Sequence, residues 1–148
     1  MKNLQYKITI AATPQKVWDT MTGKETYKEW TATAWPGSDF IGEWEQGENL
    51  KFVGNTDGAG TLATVTTFEP YKKILISHIA LLQAGSVEDT ESEWAQKWVG
   101  STEAYSFAEN NGTTNLTIDM QIYPDWADML DETWPKALAS LKEICETK

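Results

Sequence analysis

The 148-residue sequence holds one cysteine and one histidine. Cys145 can form no internal disulfide, and one Cys with one His cannot assemble a zinc-type ligand set. Basic side chains are scarce as well: 12 Lys and Arg stand against 22 Asp and Glu, a formal net charge of −10. Such a surface repels polyphosphates and anionic head groups, so neither nucleic acid nor a membrane surface is an expected partner. A run of roughly 18 apolar residues, the length of a membrane span, is missing. The opening M-K-N-L-Q-Y-K lacks the apolar core of a signal peptide, and a cytoplasmic location is expected. G-A-G-T-L-A has neither the G-x-G-x-x-G order nor the lysine of a phosphate-binding loop. The acidic cluster Glu88, Asp89, Glu91 and Glu93 lacks the Asp/Asn and Gly spacing of a calcium loop and reads as a solvated loop, placed to act as a lid. No cofactor and no metal are expected.

Tryptophan is abundant, with eight copies. Large aromatics with a polar edge gather in cores, pockets and interfaces, so something large and apolar is being lined or filled. Hydrophobic residues at 41% and charged residues at 23% give the ordinary balance of a soluble globular chain. The length suits one domain, residues 1–148, with one sizeable core.

Leu4, Tyr6, Ile8 and Ile10 alternate with polar residues, the signature of a strand with one buried face. Thr13 then caps and Pro14 opens a short helix with Val17, Trp18 and Met21 inward, closed by Gly23. A second short helix is expected over Glu25 to Trp30. From Asp39 the pattern becomes strand, turn, strand. Phe40 and Trp44 fall on one face with Gly42, whose missing side chain leaves open volume beside Trp44; Leu50 and Phe52 begin the next strand. Leu62 to Glu69 is a further strand, and the nearly apolar Ile74 to Leu82 reads as a central strand covered on both faces. Gln83 to Glu93 reads as a loop. Asn110-Asn111-Gly112 joins two strands into a hairpin, the second alternating at Leu116, Ile118, Met120 and Ile122.

The end is helical. Asp125 is the expected N-cap, and Trp126, Met129, Leu130, Trp134, Leu138, Leu141 and Cys145 continue one apolar stripe in phase across Pro135. Phase continuity favours one bent helix, at a cost of about 3 kcal/mol for the interior proline. The alternative is a helix capped by Thr133 with Trp126 to Glu132 as a separate turn. Together the elements give an α+β domain whose single-sided antiparallel sheet must be covered by the long helix.

The stretches I-T-I-A-A-T-P-Q-K-V-W-D-T-M, Y-K-E-W-T, G-E-W-E-Q-G, K-W-V-G-S-T-E-A-Y-S-F, N-G-T-T-N-L-T and T-W-P-K-A-L-A-S-L-K-E-I together resemble the START-like superfamily called SRPBCC. Within it the chain is similar to the bacterial branch named after homologues of the activator of the heat-shock-protein-90 ATPase. The resemblance implies the helix-grip fold, about seven antiparallel strands wrapped round a long C-terminal helix, with an apolar cavity between them. It also implies binding of a small hydrophobic or amphipathic molecule, with only some members acting as enzymes.

On that frame Trp30, Trp35, Trp44, Trp94, Trp98, Trp126 and Trp134 are candidates to line a pocket, or else to fill the core; Phe52 joins them as a candidate ligand-binding residue. His78 shares a strand face with Ile74 and Ile76, and Glu103 shares one with Tyr105 and Phe107, so an acid, a base and a phenol can face one cavity. The bland reading is a satisfied core histidine and a glutamate at the sheet rim. Binding without catalysis is the favoured function. A polyketide-cyclase-like enzyme using His78 and Glu103 as acid and base is the alternative, and a co-chaperone-like role is a third, although no stretch identifies a chaperone surface. Exposed Trp between 94 and 98 could serve a homodimer.

Overall fold

The computed structural model describes residues 1–54 and 57–147. Strand β1 (Lys2–Ile10) leads into helices α1 (Pro14–Thr22) and α2 (Lys24–Thr31), followed by β2 (Asp39–Gly42), β3 (Asn49–Val53), β4 (Gly60–Glu69) and β5 (Lys73–Gln83). After β6 (Val87–Asp89) and the single turn α3 (Glu93–Gln96) come β7 (Thr102–Asn110) and β8 (Thr113–Ile122). A 3-10 turn, Pro124–Trp126, then passes into α4 (Ala127–Thr147).

The sheet runs β1-β8-β7-β5-β4-β3-β2, antiparallel throughout, with β6 paired to β5 off this path. It is curved and open, and α4 lies against it in the helix-grip arrangement. Eight strands form where about seven were expected, because Val87 and Asp89 pair with Gln83 and Leu81 inside the stretch read as a loop. Two-sided pairing of backbone groups outweighs the acidic, glycine-containing composition there.

Local rules account for most boundaries. The Thr13 hydroxyl accepts from the Lys16 amide at 3.3 Å, with Pro14 at the first helical position, as a capped helix start requires. Asn111 and Gly112 both have positive φ, 53° and 80°, so the β7–β8 hairpin turns in the mirror-image geometry that matches strand twist. Leu116, Ile118, Met120 and Ile122 are buried on the inner face of β8, each contributing about 1.5–3 kcal/mol of burial. Their outward neighbours bond across to β1 instead, as in Gln5 to Asp119 and Thr9 to Asn115.

Three expectations are corrected. Strand β5 is central, but Leu75 on its outer side is only half-buried and the extra residue Ile79 is exposed, so the outer face is fully covered only at Ala80 and Leu82. Asp125 caps nothing; its carboxylate pairs with Lys97 at 3.0 Å, and the helix enters through a 3-10 turn. Gly42 leaves no pocket volume. Its φ of +121° ends β2, and a Cβ there would approach the Asn49 carbonyl oxygen to 2.5 Å, so the glycine serves the backbone.

Helix α4 is continuous through Pro135, as the phase of its stripe predicts. Asp131 and Pro135 are both exposed, so the carbonyl that the proline cannot serve faces water rather than the sheet. Among the described residues no helix is long and apolar enough to cross a membrane.

Candidate functional site

Two irregularities in β4–β5 pairing aim the residues that matter. Ala63 pairs with His78 but Leu62 pairs with Ala80, so Ile79 is an extra residue. Leu62 and Ala63 point to opposite faces, as strand neighbours must, and so therefore do Ala80 and His78. The burial agrees: Leu62, Ala80, Leu82 and Val53 form a small separate cluster, while Ala63 belongs to the main core. His78 stays on the concave side with Ile74 and Ile76.

Strand β7 supplies the partner. Ile76 is registered with Glu103, and beyond the last paired residues the His78 amide bonds the Ser101 carbonyl at 2.8 Å. His78 and Glu103 are thus diagonal neighbours on one face, a relation that periodicity within single strands does not reveal. The Nε2 of His78 lies 3.1 Å from Glu103 Oε1, and the Tyr105 hydroxyl donates to Glu103 Oε2 at 2.5 Å.

Burial pushes the Glu103 carboxyl up, but the hydrogen bonds from His78 and Tyr105 outweigh it and hold the group below the usual carboxylate range. The Tyr105 phenol is driven the other way, by burial first and then by the neighbouring negative charge. An ionised carboxylate next to a neutral phenol follows. A carboxylate only accepts, so His78 donates to Glu103 from Nε2. Nδ1 is buried and has no hydrogen-bond partner among the described residues.

These three side chains form part of the wall of a cavity of about 240 Å³ between sheet and helices. Phe52, Thr61 and Ile74 line the sheet side as well; Tyr27, Trp30, Leu130 and Trp134 come from α2 and α4; Trp35, Trp44 and Trp98 reach in from connecting segments. Met129 also lines the space and is 40% exposed, which places it at the mouth. Trp134 is the hub: its ring lies 5.2 Å from Trp35, 6.2 Å from Trp30 and 6.2 Å from Tyr105. Trp44 is not on a strand as expected, since β2 ends at Gly42, but its ring stands edge-on to Phe40 and Phe52 and faces the same cavity. The indole N–H groups of Trp44, Trp98 and Trp134 are buried without partners among the described residues.

All nine of the residues singled out as ligand-binding, Trp30, Trp35, Trp44, Phe52, His78, Trp98, Glu103, Tyr105 and Trp134, therefore surround one space. Trp94 and Trp126 do not. Trp126 donates to the Lys97 carbonyl and packs on Trp98, and Trp94, 59% exposed, lies over Trp126. No described residue of 83–93 lines the cavity, so that segment is no lid over it. Sequence reasoning missed Tyr27, whose hydroxyl bonds Ser38. The signal was its three-residue spacing from Trp30, too short a stripe to assign a face. Cys145 is buried, and burial raises its thiol pKa, as for a small core hydrophobe. Among the described residues no three His, Cys, Asp or Glu side chains are grouped to hold a metal ion.

A curved antiparallel sheet gripping a long C-terminal helix, with an aromatic cavity between them, defines a helix-grip protein. Residues 11–146 match the family described as Activator of Hsp90 ATPase homolog 1-like protein, and the chain belongs to that family. The fold is similar to a solution structure described as the Aha1 dimer from Colwellia psychrerythraea, with a TM-score of 0.75, 22% identity and coverage of 99% of this chain and 98% of that one. It is also similar to a crystal structure from Chromobacterium violaceum, with a TM-score of 0.72, 13% identity and coverage of 99% and 98%. A third, from Mycobacterium smegmatis, has a TM-score of 0.73, 15% identity and coverage of 99% and 91%. No curated protein sequence matches the chain.

Proposed function

We propose that the protein binds a small, largely apolar organic molecule in the cavity between the sheet and α4. The observation that carries this reading is the cavity itself: about 240 Å³ walled by aromatic rings, with one polar trio, His78, Glu103 and Tyr105, to orient what enters. A core built only for stability would close such a space, because voids forfeit packing energy. The test uses 2-naphthalenemethanol as a neutral probe. At about 100 times its dissociation constant it should stabilise the folded chain by about 2.7 kcal/mol. Thr61→Phe, on the cavity wall, should abolish that effect while the protein still folds. Equal stabilisation of both proteins would overturn the reading, as would none in either.

A second reading, acid–base catalysis of the polyketide-cyclase type, draws on the His78 ring. Glu103 holds Nε2 and leaves Nδ1 without a partner among the described residues, so that nitrogen is free to pass a proton to or from a bound molecule. His78→Ala separates the two readings, since it removes turnover and leaves binding of an apolar probe. A homodimer, the state described for the Colwellia psychrerythraea relative, is proposed here too, and sedimentation equilibrium tests it. The co-chaperone reading rests on the family name alone.

A further inference from the structure

Glu103 is the one carboxylate among the described residues that line the cavity, and that bears on what the site accepts, given the binding function proposed above. Among the described residues no lysine lines the cavity, and the sequence contains no arginine at all. Its one histidine is buried to 3% exposure and turned through Nε2 onto Glu103. An anionic ligand would be desolvated beside a buried carboxylate with no lysine or arginine among the described lining residues to pair it.

We propose that the cavity selects an organic ammonium ion, a protonated primary amine on an aromatic body, with Glu103 as its counter-charge and the surrounding rings as cation–π walls. Glu103 is the charged member of the trio that stays within reach, its side chain 12% accessible against 3% for His78. Each carboxylate oxygen takes one internal hydrogen bond, Oε1 from His78 and Oε2 from Tyr105, and so keeps a second lone-pair site for an N–H donor. The hydrogen bonds that keep it ionised also hold its position, so no reorganisation is needed when a cation arrives.

The walls have matching chemistry. Aromatic faces carry negative charge above the ring and attract a desolvated cation, indole most strongly. Trp30, Trp35, Trp44 and Trp134 all line the space, with Tyr27 and Phe52 between them. Trp35 and Trp134 meet at 81°, so they present a face and an edge to the same volume rather than stacking it shut. A cavity of about 240 Å³ suits a one- or two-ring body rather than a long acyl chain. The net charge of −10 draws cations toward the mouth from a distance.

The experiment is isothermal titration calorimetry with three probes of one shape, 2-naphthylmethylammonium, 2-naphthalenemethanol and 2-naphthoate, at about 0.15 M salt to screen the general field. The ammonium should bind at least about 10-fold more tightly than the alcohol, equivalent to about 1.4 kcal/mol, and the carboxylate should bind weakest. Glu103→Gln should bring the affinities for ammonium and alcohol to within about threefold of each other. Tyr105→Phe, which keeps the charge and frees a lone pair, should retain the preference. Equal affinity for alcohol and ammonium, tighter binding of the naphthoate, or a preference that survives Glu103→Gln overturns the cation proposal and leaves the apolar-ligand reading standing. Failure of all three probes to bind overturns both. The ranking on the unaltered protein decides even if Glu103→Gln does not fold.

Discussion

In the cavity wall His78 Nε2 and Glu103 Oε1 stand 3.1 Å apart, and the second oxygen of the same carboxylate accepts from Tyr105, so one buried acid satisfies donors on two neighbouring strands. Removing the acid and removing a donor should therefore cost very different amounts. Glu103→Leu strands two buried donors, at about 1–3 kcal/mol each, whereas Tyr105→Phe removes a donor and leaves the carboxylate with His78, at about 1 kcal/mol. Urea unfolding with unchanged slope measures both. Equal costs would mean that the trio is not coupled as its geometry states.

The pH dependence follows from the same group. Glu103 titrates below the usual carboxylate range in the folded protein, so between the two values the unfolded chain binds more protons. Its contribution is fully present above an unfolded pKa of about 4.3 and is lost as pH falls through the lower folded value. The urea midpoint should fall on acidification through this window, and less steeply in Glu103→Gln. An identical slope in the variant would assign the acid sensitivity to other carboxylates.

Asp89 makes a parallel case on the surface. Its carboxylate accepts from the Ser92 hydroxyl at 2.6 Å, the Ser92 amide at 3.0 Å, the Gln83 side chain at 2.8 Å and the Glu91 amide at 3.2 Å. These bonds, those from Ser92 foremost, bring its pKa down to about 2. Asp89→Ala should speed amide hydrogen exchange at Glu91 and Ser92. Lowering the pH through about 2 should loosen the same turn in the unaltered protein, because a folded-state pKa below the unfolded one stabilises only while the group is ionised. Exchange rates unmoved by the substitution would show that β6 pairing alone orders the turn.

Pro135 offers a stabilising substitution. Pro135→Ala restores an N–H for the Asp131 carbonyl within a continuous, exposed stretch of α4. The helix-interior gain of about 3 kcal/mol outweighs the loss of about 0.4–1 kcal/mol in unfolded-chain restriction. The net expectation is about 2 kcal/mol of added stability, read as a higher urea midpoint. A lower midpoint would show that the sheet requires a bend that alanine does not supply.

How much of this was written in the sequence depends on the range of the interaction. Thr13, Pro14, Asn111 and Gly112 act within four residues, and helix α1 and the β7–β8 hairpin appear where those residues put them. The phase of the stripe from Leu130 to Cys145 carried α4 through Pro135, because burial of a whole face outweighs one missing hydrogen bond. Strand β6 was not legible, since its partner lies on β5 and Val87 alone gives no period. Facing of His78 was readable by parity, yet the extra residue Ile79 next to it turns Ala80 and Leu82 outward, which parity gets wrong. The contact between His78 and Glu103 depends on strand register, and no pattern within either strand encodes that.

Tryptophan count alone did not separate lining from filling, and two positions now divide the cases. Trp134 is 3% exposed, lies within ring contact of Tyr6, Trp30, Trp35 and Tyr105, and faces the cavity, whereas Trp94 is 59% exposed over Trp126. Trp134→Ala should cost about 3–5 kcal/mol, because four aromatic neighbours lose a face and the existing void prevents them from collapsing onto one another. Trp94→Ala should change stability by no more than about 0.5 kcal/mol. In fluorescence, an apolar probe in the cavity should quench emission from the unaltered protein and from Trp94→Ala alike, and quench the Trp134→Ala variant less. If loss of Trp94 abolished the quenching instead, the probe would be reporting the exposed surface around Trp126, and the cavity would not be its site.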